Sequence, residues 1–223
     1  MTMPTVYAFD AYGTLFDVHA AAARHRDEIG ANWERLSQLW RTKHLEYTWI
    51  HAQTHRHTRF SILTERSLDY AIATVGGVPP GVREKLLGAY RRMAAFPEVP
   101  RVLRALRERR VKLCILTNGD DDMIADAVAA AGLDGVFDAV LSVQLAGVFK
   151  PAAAVYQLVC DRFAVEPSGV RFMSSNRWDI AGANVFGFAT CWVNRAGLPD
   201  EYPDMPADEV VENLKPLMTR DRA

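Results

Sequence analysis

The chain has 223 residues, and its 26 Lys+Arg nearly balance 27 Asp+Glu for a formal charge of −1, so no charge bias points to nucleic acid or an anionic membrane surface. Hydrophobic residues make up 49% and charged residues 24%, the composition of a globular chain and not of a disordered one. The longest apolar stretches, 111–116 and 186–193, fall short of the roughly 20 residues that cross a bilayer, and no basic segment leads into an apolar one at the N-terminus; a soluble, cytoplasmic protein is expected.

In chain order, residues 6–9 are the first short apolar run and predict a buried strand. Residues 17–96 then carry helical periodicity without a convincing strand between Val18 and Val75, which marks an all-helical insertion. Asp17 is placed to N-cap a helix running through His25, and Leu36, Leu39, Trp40, Leu45 and Trp49 recur at helical spacing around 37–51. Gly76, Gly77, Pro79, Pro80 and Gly81 punctuate the insertion near its end, and Pro97 and Pro100 mark the return to a strand-bearing region. There the order is helix 99–110, strand 111–116, helix 121–131 stopped by Gly132, strand 140–143, helix 152–163 opened by Pro151, and strands 170–173 and 189–193. Such alternation predicts an α/β fold with a parallel sheet flanked by helices. The tail from Leu198, with Pro199, Pro203 and Pro206, reads as surface loop plus a short helix. The expected division is a core of residues 1–16 and 97–223 and a helical cap of residues 17–96.

Cys114, Cys160 and Cys191 stand singly in apolar surroundings without CxxC spacing, as reduced packing residues do. All six histidines fall between His19 and His57. His51 and His55 share i,i+4 spacing on an expected helix, but no third ligand accompanies them and a solvated face is the better account.

Open parallel sheets bind ligands beyond the carboxyl ends of their strands, which directs attention to Asp10, to Thr117 with Asn118, to the region of Lys150, and to the stretch from Ser174 to Asp179. Asp10 ends the first strand with a carboxylate able to attack carbon or phosphorus, and the turn at Gly13 lets Thr14 return to orient it. Each residue also has a plain structural role: Asp10 as a turn former, Lys150 and Arg41 on the surface, Asp179 as N-cap of a helix through Ala183, and Tyr156 in the core.

Together, Asp10-Ala11-Tyr12-Gly13-Thr14-Leu15-Phe16-Asp17, Leu116-Thr117-Asn118-Gly119, Phe149-Lys150-Pro151 and Ser174-Ser175-Asn176-Arg177-Trp178-Asp179 resemble, in order and spacing, the motifs of the haloacid dehalogenase superfamily. Within it the chain most resembles L-2-haloacid dehalogenases, including the helical stretch from Leu39 to Trp49. That resemblance implies a Rossmann-like core with an inserted helical cap, a small-molecule 2-haloacid as substrate with halide as product, no metal and no other cofactor, and a homodimer. Superfamily phosphatases usually carry a second aspartate at position 12, as acid for a departing alkoxide, and bind Mg²⁺ with further carboxylates. Here position 12 is Tyr12 and only Asp179 is acidic in the last motif, which suits a halide that leaves as a stable anion without a proton.

The resemblance also implies roles. Asp10, oriented by Thr14, is the expected nucleophile on C2, with inversion and an aspartyl ester, and Lys150 is expected to offset the desolvation of that carboxylate. Asp179, oriented by Ser174 and Asn176, is expected to deprotonate the hydrolytic water. Arg41 and Asn118 are expected to receive halide. The hydroxyl of Thr117, where the family usually has serine, and the backbone N–H groups of Ala11 and Tyr12 are expected to hold the substrate carboxylate. Tyr156 is expected beside the lysine, and Tyr12, Leu45, Phe60 and Trp178 are expected to wall the alkyl group. Three departures stand out: Ala11 replaces a larger apolar residue, Thr117 replaces serine, and Arg177 adds a charge beside the last motif.

Overall fold

The computed structural model describes residues 4–219. Six strands, β1 (Val6–Phe9), β2 (Lys112–Thr117), β3 (Ala139–Ser142), β4 (Val170–Ser174), β5 (Ala189–Val193) and β6 (Glu209–Val211), make one sheet in the order β3-β2-β1-β4-β5-β6, parallel throughout. β1 lies at its centre: Phe9 pairs with Ile115 of β2 on one side and Met173 of β4 on the other. Its four residues are all buried, as expected of an apolar strand covered on both faces.

The segment after β1 is helical: α1 (Ala20–Ala23), α2 (Arg26–Ile29), α3 (Trp33–Gln53), α4 (Phe60–Thr74) and α5 (Val82–Arg91) precede the return to the sheet. α3 and α4 pack along each other, burying Leu36, Trp40, Leu63 and Leu68. The two ends of the segment are stitched together, with Asp17 N–H donating to Ala94 O at 3.1 Å and Phe96 N–H to Leu15 O at 2.9 Å. Four helices follow in the sheet-bearing part: α6 (Val99–Glu108), α7 (Asp121–Ala130), α8 (Ala153–Phe163) and α9 (Arg177–Phe186). This is an α/β, Rossmann-like fold in which β1 is separated from β2 by a wholly helical run.

Several sequence expectations need correction. No continuous helix runs from Asp17 through His25; α1 is one turn, and the Asp17 carboxylate forms an Asx turn by accepting His19 N–H at 2.9 Å. α3 ends at Gln53, and His55 takes a left-handed backbone with φ 52, so His51 and His55 do not share a helical face. β2 and β3 are offset by one residue from the expected runs. Arg110 turns left-handed at φ 60, and Val143 enters a 3-10 turn whose Gln144 N–H is capped by Ser142 Oγ. Pro151 does not open α8: the helix begins at Ala153, with Ala152 as its N-cap residue, and the Lys150–Pro151 peptide bond is cis. The tail supplies β6 as well as a final 3-10 turn, Lys215–Met218; Asp208 sets this edge strand by accepting Thr190 N–H at 2.7 Å and the Thr190 hydroxyl at 2.9 Å.

Candidate active site

The carboxyl ends of β1, β2 and β4 converge on Asp10. Its own N–H continues the ladder to Met173 O at 2.9 Å, which fixes where the side chain starts. The chain then folds back: Ala11 O accepts Leu15 N–H at 2.9 Å and Phe16 N–H at 3.0 Å, with Gly13 at φ 92. A side chain at Gly13 would be strained in this left-handed region and would also stand 3.1 Å from Ser175 Oγ. The turn returns Thr14 so that its hydroxyl donates to Asp10 Oδ2 at 2.9 Å while accepting Ser175 N–H at 2.8 Å.

Lys150 is fully buried, its N–H held at 3.0 Å by Asn118 Oδ1 from the end of β2. Its ammonium bridges two carboxylates, reaching Asp10 Oδ1 at 3.1 Å and Asp179 Oδ2 at 2.9 Å. Burial alone would lower the pKa of this amine, but Asp10 and Asp179 outweigh it and hold the amine above its ordinary value. Asp179, in the first turn of α9, also accepts the Ser174 hydroxyl on Oδ2 at 3.1 Å and the Tyr156 hydroxyl on Oδ1 at 2.8 Å. Burial raises its pKa to about 6 despite the opposing pull of Lys150. Asn176, not Asp179, is the N-cap residue of α9.

Asn176 serves a different partner from the one expected. Its Nδ2 donates to Asp10 Oδ2 at 2.9 Å and its Oδ1 accepts Arg41 Nη2 at 2.9 Å, so one amide couples the nucleophile candidate to a guanidinium delivered by α3. Arg41 also donates to Tyr12 O at 3.2 Å. Thr117, fully buried, accepts Gly119 N–H on its hydroxyl at 3.0 Å, which leaves the hydroxyl proton free to donate. The Tyr12 ring stacks on Tyr90 at 5.5 Å and lies 5.3 Å from Phe60; it comes so close to Gly119 that a Cβ there would stand 2.7 Å from the ring. Ala11 is buried at the turn.

A cleft of about 630 Å³ opens on this assembly, lined by Arg41, Leu45, Asn176 and Trp178 together with Phe96 and Arg195. Asp10, Lys150 and Asp179 lie behind its wall, and Asp10 is only 5% exposed, so the carboxylates form a dry floor behind a wetter rim. Trp178 stands edge-on to Trp49 at 5.6 Å, which brings α9 against α3 at that rim. Of the residues that the resemblance singles out, Arg41, Leu45, Asn176 and Trp178 line the cleft, and Asp10, Thr14, Lys150, Tyr156, Ser174 and Asp179 form one hydrogen-bonded group behind it. Tyr12, Phe60, Thr117 and Asn118 pack without lining it, and Arg177 lines the cleft on its C-terminal-loop side. That side chain turns to the C-terminal loop, where it binds Asp200 at 2.6 Å and the carbonyls of Tyr202 and Met205 at 2.6 and 2.8 Å.

Two residues near the centre left no local signal. Arg195 donates to Thr14 O at 2.8 Å and lies 3.7 Å over the Phe96 ring. Asp120 is the N-cap residue of α7, but its side chain makes no capping bond there and instead reaches α4. Among the described residues, no group of three or more His, Cys, Asp and Glu side chains is placed to hold a metal ion. All three cysteines are buried. Among the described residues, no helix is long and apolar enough to cross a membrane.

Comparison with known proteins agrees with this geometry. Residues 4–187 match the haloacid dehalogenase-like hydrolase family. The chain is 41% identical over 210 residues to (S)-2-haloacid dehalogenase 4A of Burkholderia cepacia, covering 94% of this chain and 91% of that one. A crystal structure of a dehalogenase with an intermediate complex superposes with a TM-score of 0.95 at 39% identity, covering 97% of this chain and 96% of that one. The L-2-haloacid dehalogenase of Xanthobacter autotrophicus with chloropropionic acid covalently bound gives a TM-score of 0.87 at 33% identity, covering 99% of this chain and all (100%) of that one. The chain belongs to the haloacid dehalogenase-like hydrolases, and within them to the (S)-2-haloacid dehalogenase family.

Proposed function

We propose that the protein hydrolyses short-chain L-2-haloacids to D-2-hydroxy acids and halide, without a metal, through an ester on Asp10. The observation that carries this is the buried ammonium of Lys150 set between the Asp10 and Asp179 carboxylates, behind a rim that holds Arg41. A fixed cation already occupies the point between the two carboxylates, and Tyr12 offers no acid for a departing alkoxide. The chemistry this suits is displacement of a leaving group that needs neither a metal nor a proton.

Asp10 Oδ2 is tied by Thr14 and Asn176, whereas Oδ1 meets Lys150 alone, so Oδ1 is the freer nucleophile. It attacks C2 opposite the halogen; the new C–O bond forms as the carbon–halogen bond breaks, and halide leaves with the bonding electrons. Arg41 and the amide of Asn118 receive the developing anion. The Thr117 hydroxyl and the N–H groups of Ala11 and Tyr12 hold the substrate carboxylate, while Leu45, Phe60, Trp178 and the Tyr12 ring enclose its alkyl group and exclude water.

Water then attacks Cγ of Asp10, giving its proton to Asp179. Negative charge develops on Oδ2, where Thr14 and Asn176 already donate at 2.9 Å, so this pair acts as an oxyanion hole. Collapse breaks the Cγ–O bond to the product, which takes the proton back from Asp179, and Asp10, now carrying the water's oxygen, releases the water's second proton to solvent and is a carboxylate again. C2 is untouched in this step, and its single inversion stands. Residues 17–96 act as the cap that brings Arg41, Leu45 and Phe60 to the floor.

Purified protein with racemic 2-chloropropionate in excess chelator tests this. Halide release is expected to stop near half conversion, to leave the D enantiomer, and to vanish in Asp10→Asn. No release from the chloro or bromo acid overturns the proposal.

A further inference from the structure

The loop after β2 holds the start of α4 in place. Asp120, 1% exposed, accepts Phe60 N–H on Oδ1 at 2.9 Å and Ser61 N–H on Oδ2 at 3.0 Å, and Arg59 Nε adds a third bond at 3.2 Å. Arg59 is the N-cap residue of α4 and gives that helix no side-chain cap, so a carboxylate from a distant part of the chain satisfies its first donors. The residue it fixes is Phe60, whose ring lies 5.3 Å from Tyr12, 4.1 Å from His44 and 6.4 Å from Phe149, the neighbour of Lys150. Around this contact lies an outer set of ion pairs, Arg59 to Asp122 at 2.6 Å and Arg91 to Asp122 and Asp126 at 2.7 and 2.6 Å. Those side chains are about half exposed, and solvent and salt screen them.

We propose that Asp120 is a positioning residue for the reaction: by clamping the first turn of α4 to the loop after β2, it sets Phe60 against Tyr12 and so fixes the apolar wall that meets the substrate's alkyl group. The proposal rests on the 2-haloacid reading for its kinetic consequence but not for its structural one. Two backbone donors engage two different carboxylate oxygens. An asparagine keeps only one acceptor and turns an amide donor toward the other N–H, so even this near-isosteric change breaks the clamp.

In Asp120→Asn, amide hydrogen exchange at Phe60 and Ser61 is expected to quicken at least tenfold while α7 is unchanged, because α7 takes no side-chain cap from Asp120. kcat/KM for 2-chloropropionate is expected to fall about tenfold, mainly through KM, and to fall less for chloroacetate, which lacks the methyl group. Phe60→Ala and the double variant complete a cycle: if Asp120 acts through Phe60, the double variant stays within about twofold of Phe60→Ala. Arg59→Gln, which alters only the half-exposed partner, is expected to stay within twofold of the parent. Unchanged exchange at Phe60 and Ser61, multiplicative losses in the double variant, or an Arg59→Gln variant that reproduces the defect each overturns the proposal. A parent enzyme inactive on every haloacid overturns the proposed function instead, and the exchange measurement still decides whether Asp120 clamps α4.

Discussion

Two buried polar clusters lie on either side of Tyr12, and they meet the cost of burial in opposite ways. On the sheet side, the Lys150 ammonium pairs with the Asp10 and Asp179 carboxylates at 3.1 and 2.9 Å. On the helical side, His44 is sealed between α3, α4 and α5, with its ring nitrogens 3.1 Å from the Thr64 hydroxyl and 3.4 Å from the Tyr90 hydroxyl. Trp40 Nε1 closes that knot on Thr64 O at 3.0 Å. Burial, reinforced by nearby Arg41, lowers the His44 pKa to about 3, so this cluster is neutral at ordinary pH. The difference teaches where chemistry sits. The buried histidine of the helical cluster is neutral, whereas the floor sets two carboxylates around one ammonium, the kind of desolvated charged arrangement that clusters at functional sites.

The sharpest way to break this comparison is to remove the cation. Lys150→Met leaves two buried carboxylates without their counter-ion, and loss of one partner from a buried ion pair costs about 3–5 kcal/mol. Urea unfolding is expected to show a loss of that order, together with no halide release; a variant of parental stability would show that the carboxylates do not depend on Lys150.

The His44 knot offers the next largest effect, with a defined sign. Its folded pKa lies below the ordinary 6.5, so its contribution to stability is complete above 6.5 and is lost as pH falls toward 3, where the unfolded chain binds a proton that the folded chain refuses. Between pH 7 and pH 5 that amounts to about 2 kcal/mol. His44→Gln keeps an acceptor and donors but cannot titrate, so its stability is expected to drop less over this interval by about that amount. Equal losses in parent and variant would show that His44 is free to protonate in the folded state.

These clusters also show what a sequence discloses. Asp10, Thr117, Asn118 and Ser174 were legible because each terminates or follows an apolar run, and a parallel sheet gathers its strand ends. Asp179 and Lys150 were legible through their motifs. The partner of Asn176 was not: its amide turns to Asp10 and Arg41, a choice settled by side chains from β1 and α3. The resemblance marked Arg41, which by itself reads as a surface arginine. Asp120 and Arg195 gave no signal because their partners, Phe60 and Thr14, lie far along the chain. β6 was missed for a related reason: three residues among prolines and acids carry no period, and Asp208 binding Thr190 aligns them.

The smallest effect separates function from stability within the floor. Asp179 has a folded pKa raised to about 6, above its ordinary 3.8, so its carboxyl favours the folded state only while protonated. That contribution is full below 3.8 and is lost as pH rises through 6, which makes the ionised side chain a net cost at pH 8. Asp179→Asn removes the charge and leaves Lys150 paired with Asp10 one to one. Its carbonyl can accept from Lys150 and Ser174, and its NH2 can donate to Tyr156, so most bonds survive. Weakened bonds to Lys150 offset part of the gain, leaving about 1 kcal/mol of added stability at pH 8 that fades below pH 5. The same substitution removes the proposed base for the second step, so protein treated with 2-chloropropionate is expected to retain a 1-carboxyethyl ester on Asp10, detectable by mass spectrometry of the peptide. A variant more stable than its parent yet arrested as an ester would show that the floor carries Asp179 for its chemistry, whereas one less stable at pH 8 would show that this carboxylate holds the fold as the neutral His44 knot does.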